Sequence, residues 1–310
     1  MKKVLFFMGK GGVGKTTMSS STAFQLSHRG YKVLIVSLDP AHNLGDVFYC
    51  NLKNDKSSIS PGLDGIEIDL AKWVIKYLET SKDEIRDTYR YNVSINIDSY
   101  INILKYSPGT EEYAVLWAIE YIYTAYHNQY DYIIFDTPPT ALTMRFLAMP
   151  SISMMWINEL KSMREKILAK RQTILKLNPD ATVIKGATDV KDDAVSGKLG
   201  SIRTRLKKLH TIFSEESYMS IVINNDELSL SESRRILQEL DKLDVKINSI
   251  CLNKLNPEIT DLENIKKKFN SFPVFTSYQL PEGLIRREDL GRIQIDGLVN
   301  NIIETTRGNK

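Results

Sequence analysis

The chain has 310 residues, of which 42% are hydrophobic and 25% are charged, and this composition excludes a disordered or fibrous protein. Lysine and arginine total 41 against 38 aspartates and glutamates, and the formal charge of +3 is too small for a protein that coats nucleic acid, so we expect no nucleic-acid partner. Because Cys50 and Cys251 are its only cysteines, the chain can build neither a disulfide framework nor a cysteine-based zinc site.

The same features bear on where the protein works. No apolar run in the sequence approaches the ~20 residues needed to span a bilayer. The amino terminus enters a strand-like run at residues 4–8 without a cleavable signal segment. A protein with so few cysteines also suits a reducing compartment. We therefore expect a cytoplasmic protein.

Short apolar runs of strand length alternate with helical patterns along the chain. This alternation predicts an α/β fold with a doubly wound, mostly parallel sheet covered by helices on both faces. A helix is expected from about residue 16 to residue 29. The predicted strands are, in chain order, residues 4–8, 33–38, 132–135, 220–223, 249–252 and 273–275.

Two stretches interrupt this rhythm. Residues 71–129 and 151–210 are predicted to be mostly helical, because charged and apolar residues recur in them at helical spacing. Residues 179–200 are rich in Asp, Lys, Gly, Ala and Ser, which is typical of a loop. The length alone fits one domain or two. We predict one domain over residues 1–310 that carries an inserted helical subdomain.

A glycine-rich loop lies between the first predicted strand and the helix that follows it. It contains the pattern G-x-x-x-x-G-K-[ST] as Gly9, Gly14, Lys15 and Thr16. Such a loop wraps its backbone N–H groups around phosphates, while Lys15 reaches the β- and γ-phosphates and Thr16 places its hydroxyl on Mg²⁺. The predicted phosphate site comprises Gly9, Lys10, Gly11, Gly12, Val13, Gly14, Lys15, Thr16 and Thr17.

Two aspartates end predicted strands near this loop. Asp39 follows residues 33–38 and Asp136 follows residues 132–135. In an open α/β sheet these strand ends border the ligand crevice, so one carboxylate would orient the attacking water and the other would hold Mg²⁺. Either aspartate alone also fits a turn or a helix cap. Lys10 fits a solvated surface residue or a second cation for the transferred phosphoryl group.

Several segments resemble a known family. Residues 10–17, with their two lysines, resemble the deviant Walker A motif of the ATPases that include nitrogenase iron protein and the septum-site and partition ATPases. Residues 39–48 resemble switch I of the arsenical pump ATPases and of the ATPases that target tail-anchored membrane proteins. Residues 136–147 resemble their switch II, and residues 228–232 and 252–255 resemble their later nucleotide-contacting segments.

This resemblance implies a P-loop NTPase that hydrolyses ATP with Mg²⁺ as a homodimer. Lys10 would reach the nucleotide of the partner subunit, Asp39 would position the hydrolytic water, and Asp136 would link switch II to Mg²⁺. The remaining nucleotide contacts implied are Asn43 for the γ-phosphate, Asn253 for adenine, and Asp226, at a position where the family usually has Glu, for the nucleotide of the opposing chain.

The chain departs from the family in its cysteines. The targeting ATPases usually carry a zinc-binding C-x-x-C pair after the adenine-contacting Asn, whereas residues 256–263 contain no cysteine, so we expect no zinc. The arsenical pump ATPase is a fused, double-length protein, and its cysteines do not match Cys50 or Cys251. Because soft metalloids need thiolate ligands, activation by a metalloid is disfavoured.

Methionines are concentrated in and after residues 136–147, the segment that resembles switch II. The five that fall within twenty residues are Met144, Met149, Met154, Met155 and Met163. Flexible methionines fit either a helix packed in its own core or a groove for varied apolar partners.

Three functions are therefore compared. The leading hypothesis is an ATPase homodimer that binds and releases a hydrophobic client segment or a membrane-protein partner. The second is the ATP-driven subunit of an arsenite or anion exporter, which arsenite-stimulated hydrolysis would reveal. The third is a partition or cofactor-loading switch, which predicts salt-dependent DNA binding or a membrane-binding tail.

Overall fold

The computed structural model describes residues 3–40, 44–88, 103–178, 186–256 and 262–307. Its strands are β1 (Val4–Met8), β2 (Val33–Ser37), β3 (Ser57–Ser60), β4 (Leu63–Glu67), β5 (Tyr132–Asp136), β6 (Ser217–Asn224), β7 (Ser249–Leu255) and β8 (Val274–Tyr278). Its α-helices are α1 (Lys15–His28), α2 (Leu44–Phe48), α3 (Leu70–Thr88), α4 (Thr110–Tyr126), α5 (Thr140–Leu177), α6 (Ala194–Thr211), α7 (Glu227–Lys242), α8 (Leu262–Lys268) and α9 (Asp296–Arg307). A π-helical turn (Ile212–Glu216) and a 3₁₀-helix (Arg287–Arg292) complete the described elements.

The strands form one eight-stranded sheet in the order β3-β4-β2-β5-β1-β6-β7-β8. Every neighbouring pair is parallel except the edge pair β3 and β4. The central strand, β1, lies between β5 and β6. The carboxyl ends of β1, β2 and β5 therefore meet at one edge of the sheet, which is where an α/β sheet binds its ligand.

Alternate residues of each strand feed two separate cores. On β1, Phe6 faces one apolar layer and stacks on Phe135 at 5.0 Å between ring centroids. Leu5 and Phe7 face the opposite layer, where they pack with residues of α1 and α9. The doubly wound α/β fold predicted from the alternating strand and helix patterns is confirmed.

Four long helices stand together outside the repeating strand-and-helix pattern. They are α3, α4, α5 and α6, and Pro150 lies inside the 38-residue α5. Proline removes one helical hydrogen bond, yet α5 continues on both sides of it. Among the described residues, no helix combines the length and the apolar character that crossing a bilayer requires.

Most predicted elements are present with shifted ends. The six predicted strands correspond to β1, β2, β5, β6, β7 and β8, and the helix predicted for residues 16–29 is α1. The prediction missed the edge hairpin of β3 and β4, because its strands carry serines and an Asp-Gly pair instead of an apolar run. Of the loop predicted at residues 179–200, residues 179–185 lie outside the described residues, and the prediction is wrong from Ala194 onward, where α6 begins.

Candidate active site

The phosphate-binding loop joins the end of β1 to the start of α1, as the sequence predicts. Gly9 has φ +149°, and a Cβ built on it would lie 2.3 Å from the carbonyl oxygen of Val222. Gly14 has φ +94°, and its Cβ would lie 2.3 Å from Nδ2 of Asn253. Gly14 is also the N-cap of α1, and no side chain caps the first N–H groups of this helix. A helix start of this kind offers free N–H donors to an anion such as a phosphate.

Lys15 is buried at the base of the loop, with 7% of its surface exposed. Its Nζ donates a hydrogen bond to the backbone oxygen of Lys10 at 3.4 Å. Burial lowers the pKa of Lys15, while the nearby negative charges of Asp136, Asp39 and Glu232 oppose that effect. A lysine held this way supplies a positive charge that is incompletely solvated and therefore attracts phosphate strongly.

Thr16 and Asp136 form the second half of the site. Thr16 donates its hydroxyl to Oδ2 of Asp136 at 2.7 Å. Asp136 ends β5 and is 1% exposed, and within the described part of the chain its Oδ1 is buried without a hydrogen-bond partner. Burial raises the pKa of Asp136 to about 7, although the Thr16 hydrogen bond and the Lys15 charge act in the opposite direction. An unpartnered carboxylate oxygen beside a hydroxyl is the donor set that Mg²⁺ prefers, so these residues fit that ion.

Asp39 and Lys10 border the same edge of the sheet. Asp39 follows β2, is half-buried, and lies close enough to Lys15 and Asp136 to influence the pKa of both. Lys10 is half-buried in the loop itself. The structure thus brings together five predicted site residues from three separate segments of the sequence, Lys10, Lys15, Thr16, Asp39 and Asp136.

The predicted adenine contact, Asn253, lies against the loop. It is 5% exposed and donates Nδ2 to the backbone oxygen of Val13 at 2.9 Å. Its neighbour Lys254 donates Nζ to the backbone oxygen of Gly12 at 2.8 Å. No sequence pattern indicated this role of Lys254. The contact between Asn253 and adenine remains a prediction.

The two other nucleotide contacts that the resemblance implies are Asp226 and Asn43. Asp226 is an exposed N-cap of α7, and its Oδ1 accepts a hydrogen bond from the N–H of Ser229 at 2.8 Å. Its contact with an opposing chain remains a prediction. Asn43 lies outside the described residues.

A buried glutamate next to the switch I segment was also missed. Glu67 ends β4 and is 9% exposed. Its Oε1 accepts hydrogen bonds from the N–H groups of Leu44 at 3.1 Å and Gly45 at 3.4 Å, at the start of α2. The carboxylate therefore holds the beginning of this short helix, and because β4 was itself not predicted, no sequence pattern singled Glu67 out.

The thiol pKa of each cysteine is raised. Cys251 is 1% exposed, and burial raises the pKa of its thiol to about 12. Burial also raises the pKa of the half-buried Cys50 thiol. No group of three or more His, Cys, Asp or Glu side chains within the described ranges is arranged to hold a metal ion.

The chain is similar to known ATPases over most of its length. Residues 2–272 match the model of the anion-transporting ATPase family. Arsenical pump-driving ATPase 2 of Aquifex aeolicus is 31% identical over 266 residues, which cover 86% of this chain and 84% of that protein. The ATPase GET3 of Mycosarcoma maydis is 31% identical over 263 residues, which cover 82% of this chain and 72% of that protein. An ATPase ASNA1 homologue of Entamoeba dispar is 28% identical over 261 residues, which cover 82% of this chain and 77% of that protein.

The range that matches the family model contains the loop, both aspartates and the four long helices. The chain belongs to the anion-transporting ATPase family and is an ATP-hydrolysing enzyme of the arsenical-pump and GET3 type.

Proposed function

We propose that the protein is a Mg²⁺-dependent ATPase that works in the cytoplasm as a homodimer and couples ATP hydrolysis to the binding and release of a hydrophobic client segment. The observation that carries the ATPase part is the Thr16–Asp136 pair at 2.7 Å, with one carboxylate oxygen left unpartnered and Lys15 buried beside it. The client part is supported by the exposed apolar residues of α5 and by the family relationship.

Each charged group at the sheet edge has its own task in this proposal. Lys15 and the N–H groups of the loop bind the phosphates, while Thr16 and Asp136 would hold Mg²⁺, an ion that would supply positive charge to the phosphate site. Asp39 accepts a hydrogen bond from the attacking water and aims it at the γ-phosphorus. Lys10 reaches the nucleotide of the partner subunit and stabilises the charge that develops there.

The helical layer is proposed as the client-binding part. We assign it to residues 71–129 and 151–210, within a single ATPase domain over residues 1–310. In the structure α5 begins at Thr140, only four residues after Asp136, which supports the proposal that a movement of the switch II segment would be transmitted to this helix. The side chains on α5 that are more than two-fifths exposed include Ile152, Met155, Trp156, Leu160, Met163 and Ile167. Apart from the adjacent pair Met155 and Trp156, these side chains recur every three or four residues along one face of the helix, and such an apolar face fits an apolar partner.

A second candidate is the ATP-driven subunit of an anion exporter. The name of the Aquifex relative favours it. The thiols argue against metalloid activation, because Cys251 is buried with a raised pKa and soft metalloids bind thiolates. The client-binding ATPase is therefore the better supported function.

Two measurements test the proposal. The first is ATP hydrolysis by the wild type and by Asp39→Asn with Mg²⁺, with Asp241→Asn, an exposed aspartate on α7, as the control. We expect Asp39→Asn to bind ATP normally and to lose at least about a hundredfold in turnover, which is the range for loss of a positioned acid–base group. The second is capture of a ~20-residue apolar helical peptide by the ATP-bound Asp39→Asn protein, with size-exclusion chromatography to measure its oligomeric state.

The outcomes separate the parts of the proposal. Normal hydrolysis by Asp39→Asn would remove the water-positioning role. A monomer in the ATP state, or no capture of the peptide, would contradict the client-binding homodimer. Stimulation of wild-type hydrolysis by arsenite would favour the exporter subunit.

A further inference from the structure

A partly enclosed cavity of about 330 Å³ lies among the long helices, between α3, α4 and α6. None of its lining residues belongs to the phosphate-binding loop or to the strand ends that border it. All three walls come from one chain, so the cavity exists without a second subunit. It is a candidate binding site separate from the nucleotide site.

The walls of the cavity are mainly apolar. On one side, the rings of Tyr77 from α3 and Tyr113 from α4 stack with centroids 6.0 Å apart and planes 6° from parallel. On the other side, Leu199, Ile202 and Leu206 of α6 line the cavity. Their spacing of three and four residues places them on one face of the helix. Aromatic and aliphatic walls of this kind bury the surface of small apolar ligands.

The charged side chains that line the cavity neutralise one another. Lys198 and Glu84 form an ion pair at 2.6 Å. Arg205 binds Glu120 through two nitrogens, with N···O distances of 2.7 to 3.1 Å. An ionic ligand would therefore have to break one of these pairs to find a countercharge. The site favours an uncharged ligand that leaves both pairs closed.

The size of the cavity limits its occupant. A membrane-spanning helix is ~30 Å long, whereas the wall formed by α4 extends only from Tyr113 to Glu120, or about 10 Å at ~1.5 Å per residue. By comparison, an apolar cavity of about 150 Å³ holds one benzene molecule. The cavity is therefore too small for a hydrophobic client helix and large enough for a small molecule of roughly two to three ring units.

We propose that this cavity binds an uncharged, mainly apolar small molecule, at a site distinct from both the nucleotide site and the client surface on α5. The ligand packs between the tyrosines of α3 and α4 and the aliphatic face of α6. Because it joins three helices that belong to different parts of the chain, it stabilises their relative positions.

The test uses N-phenyl-1-naphthylamine, an uncharged aromatic probe that fluoresces in apolar surroundings, with the full chain. We expect saturable binding at one site per chain, with competition by dodecanol and much weaker competition by dodecanoate. Leu199→Trp fills the cavity and is expected to weaken probe binding at least about tenfold. Leu177→Trp, at a position that is 81% exposed on α5, is the matched control and is expected to bind as the wild type does.

A second variant tests the charge argument. Glu120→Gln leaves Arg205 without its carboxylate, and we expect dodecanoate then to compete about as well as dodecanol or better. Circular dichroism and thermal unfolding establish that each variant is folded, and Ile202→Phe replaces Leu199→Trp if that variant does not fold. The proposal is overturned if the probe shows no saturable binding, or if the folded cavity-filling variant binds it as well as Leu177→Trp. Unchanged discrimination between the two competitors in Glu120→Gln would equally overturn the assignment of the site to this cavity.

Discussion

Lys254 donates its side-chain ammonium to the backbone oxygen of Gly12 at 2.8 Å, across 242 positions of the sequence. Asn253 makes the parallel bond to Val13 at 2.9 Å. Two adjacent residues of β7 thus hold two adjacent carbonyls of the phosphate-binding loop. Because the peptide group is planar and trans, a fixed carbonyl direction also fixes the opposite direction of its N–H group. The pair therefore fixes the directions of the N–H groups of Val13 and Gly14, which share peptide groups with these two carbonyls.

The first prediction concerns Lys254→Met, which keeps the aliphatic stem and removes the donor. We expect ATP to bind about tenfold more weakly, the usual effect of losing one charge-assisted hydrogen bond, with turnover at saturating ATP changed much less. Lys254→Arg should restore part of the affinity, because its guanidinium can still donate to Gly12. Isothermal titration calorimetry and steady-state kinetics measure both quantities.

The control for this prediction is Lys267→Met, at an exposed position of α8. It should leave both the affinity and the turnover unchanged. If Lys254→Met binds ATP as tightly as Lys267→Met does, the hydrogen bond to Gly12 does not contribute to the shape of the loop.

Part of the site could be predicted because its residues are close together in sequence. Gly9, Gly14, Lys15 and Thr16 lie on one turn between a strand and a helix, and local spacing alone identifies them. Lys254 could not be identified in this way. Its contact depends on the register that pairs Asn224 with Asn253, on an irregularity between β7 and β8, and on a left-handed backbone at Lys254 with φ 54°.

The fold shows the same division between local and distant information. Apolar strands such as β1 and β5 have a clear signal, because they are buried on both faces. The start of α6 has a weak local signal, because the residues around it have the composition of a loop. Its capping residue, Asp193, is also stabilised by Arg164 of α5, which lies 29 residues earlier in the sequence. The sequence around residues 179–200 therefore indicates a loop throughout, although the helix begins within it.

The second prediction compares two glycines of the loop. Gly14→Ala places a Cβ 2.3 Å from Nδ2 of Asn253 at a backbone φ of +94°, which alanine adopts only with strain. Gly11→Ala meets no atom within 4 Å and has no positive φ. We expect Gly14→Ala to lower the free energy of unfolding by about 2–4 kcal/mol and Gly11→Ala to change it by less than about 1 kcal/mol. Urea unfolding without nucleotide measures both, and equal stabilities would contradict the close packing of Gly14 on Asn253.

The third prediction concerns the stability cost of Asp136. Because burial raises the pKa of this carboxyl to about 7 in the folded chain, ionising it opposes folding. The contribution of this group to the free energy of unfolding is greatest below about pH 4, where the carboxyl is neutral in both the folded and the unfolded chain. That contribution is lost as the pH rises through about 7. Asp136→Asn removes the charge and keeps an acceptor for Thr16. We expect it to raise the free energy of unfolding of the nucleotide-free protein at pH 8 by about 1–3 kcal/mol, since Lys15 loses an attractive neighbour and the gain is partial.

The same substitution should abolish Mg²⁺-dependent hydrolysis. The oxygen proposed to bind the metal is replaced either by an amide nitrogen, which is not a Mg²⁺ ligand, or by an uncharged amide oxygen, which is a weaker one. Urea unfolding at pH 8 and at pH 4 measures the stability difference, which should vanish at the lower pH. Asp241→Asn is the control and should show no pH-dependent gain. If the variant is less stable than the wild type at pH 8, the ionised carboxylate of Asp136 does not destabilise the nucleotide-free protein.

The last prediction concerns the junction of α5 and α6. Arg164 binds both oxygens of Asp193 at 3.0 and 2.6 Å, and the same carboxylate caps α6 through the N–H of Ser196 at 2.8 Å. The Asp193 side chain is 4% exposed and that of Arg164 is 20% exposed, so Asp193→Ala leaves a largely buried guanidinium without its partner. We expect Asp193→Ala to lower the free energy of unfolding by about 2–4 kcal/mol at pH 7. Asp192→Ala, at the exposed neighbouring position, should lower it by less than about 0.5 kcal/mol.

The pH dependence separates this ion pair from simple loss of packing. The hydrogen bonds from Arg164 hold the pKa of Asp193 well below its usual value, so the pair stabilises the fold fully above about pH 4 and loses that contribution as the pH falls further. The difference in urea midpoint between the wild type and Asp193→Ala should therefore shrink between pH 7 and pH 3. A packing defect would persist at both pH values, because the cavity left by the missing side chain does not depend on protonation. A constant difference would thus assign the effect of Asp193 to packing instead of to its charge.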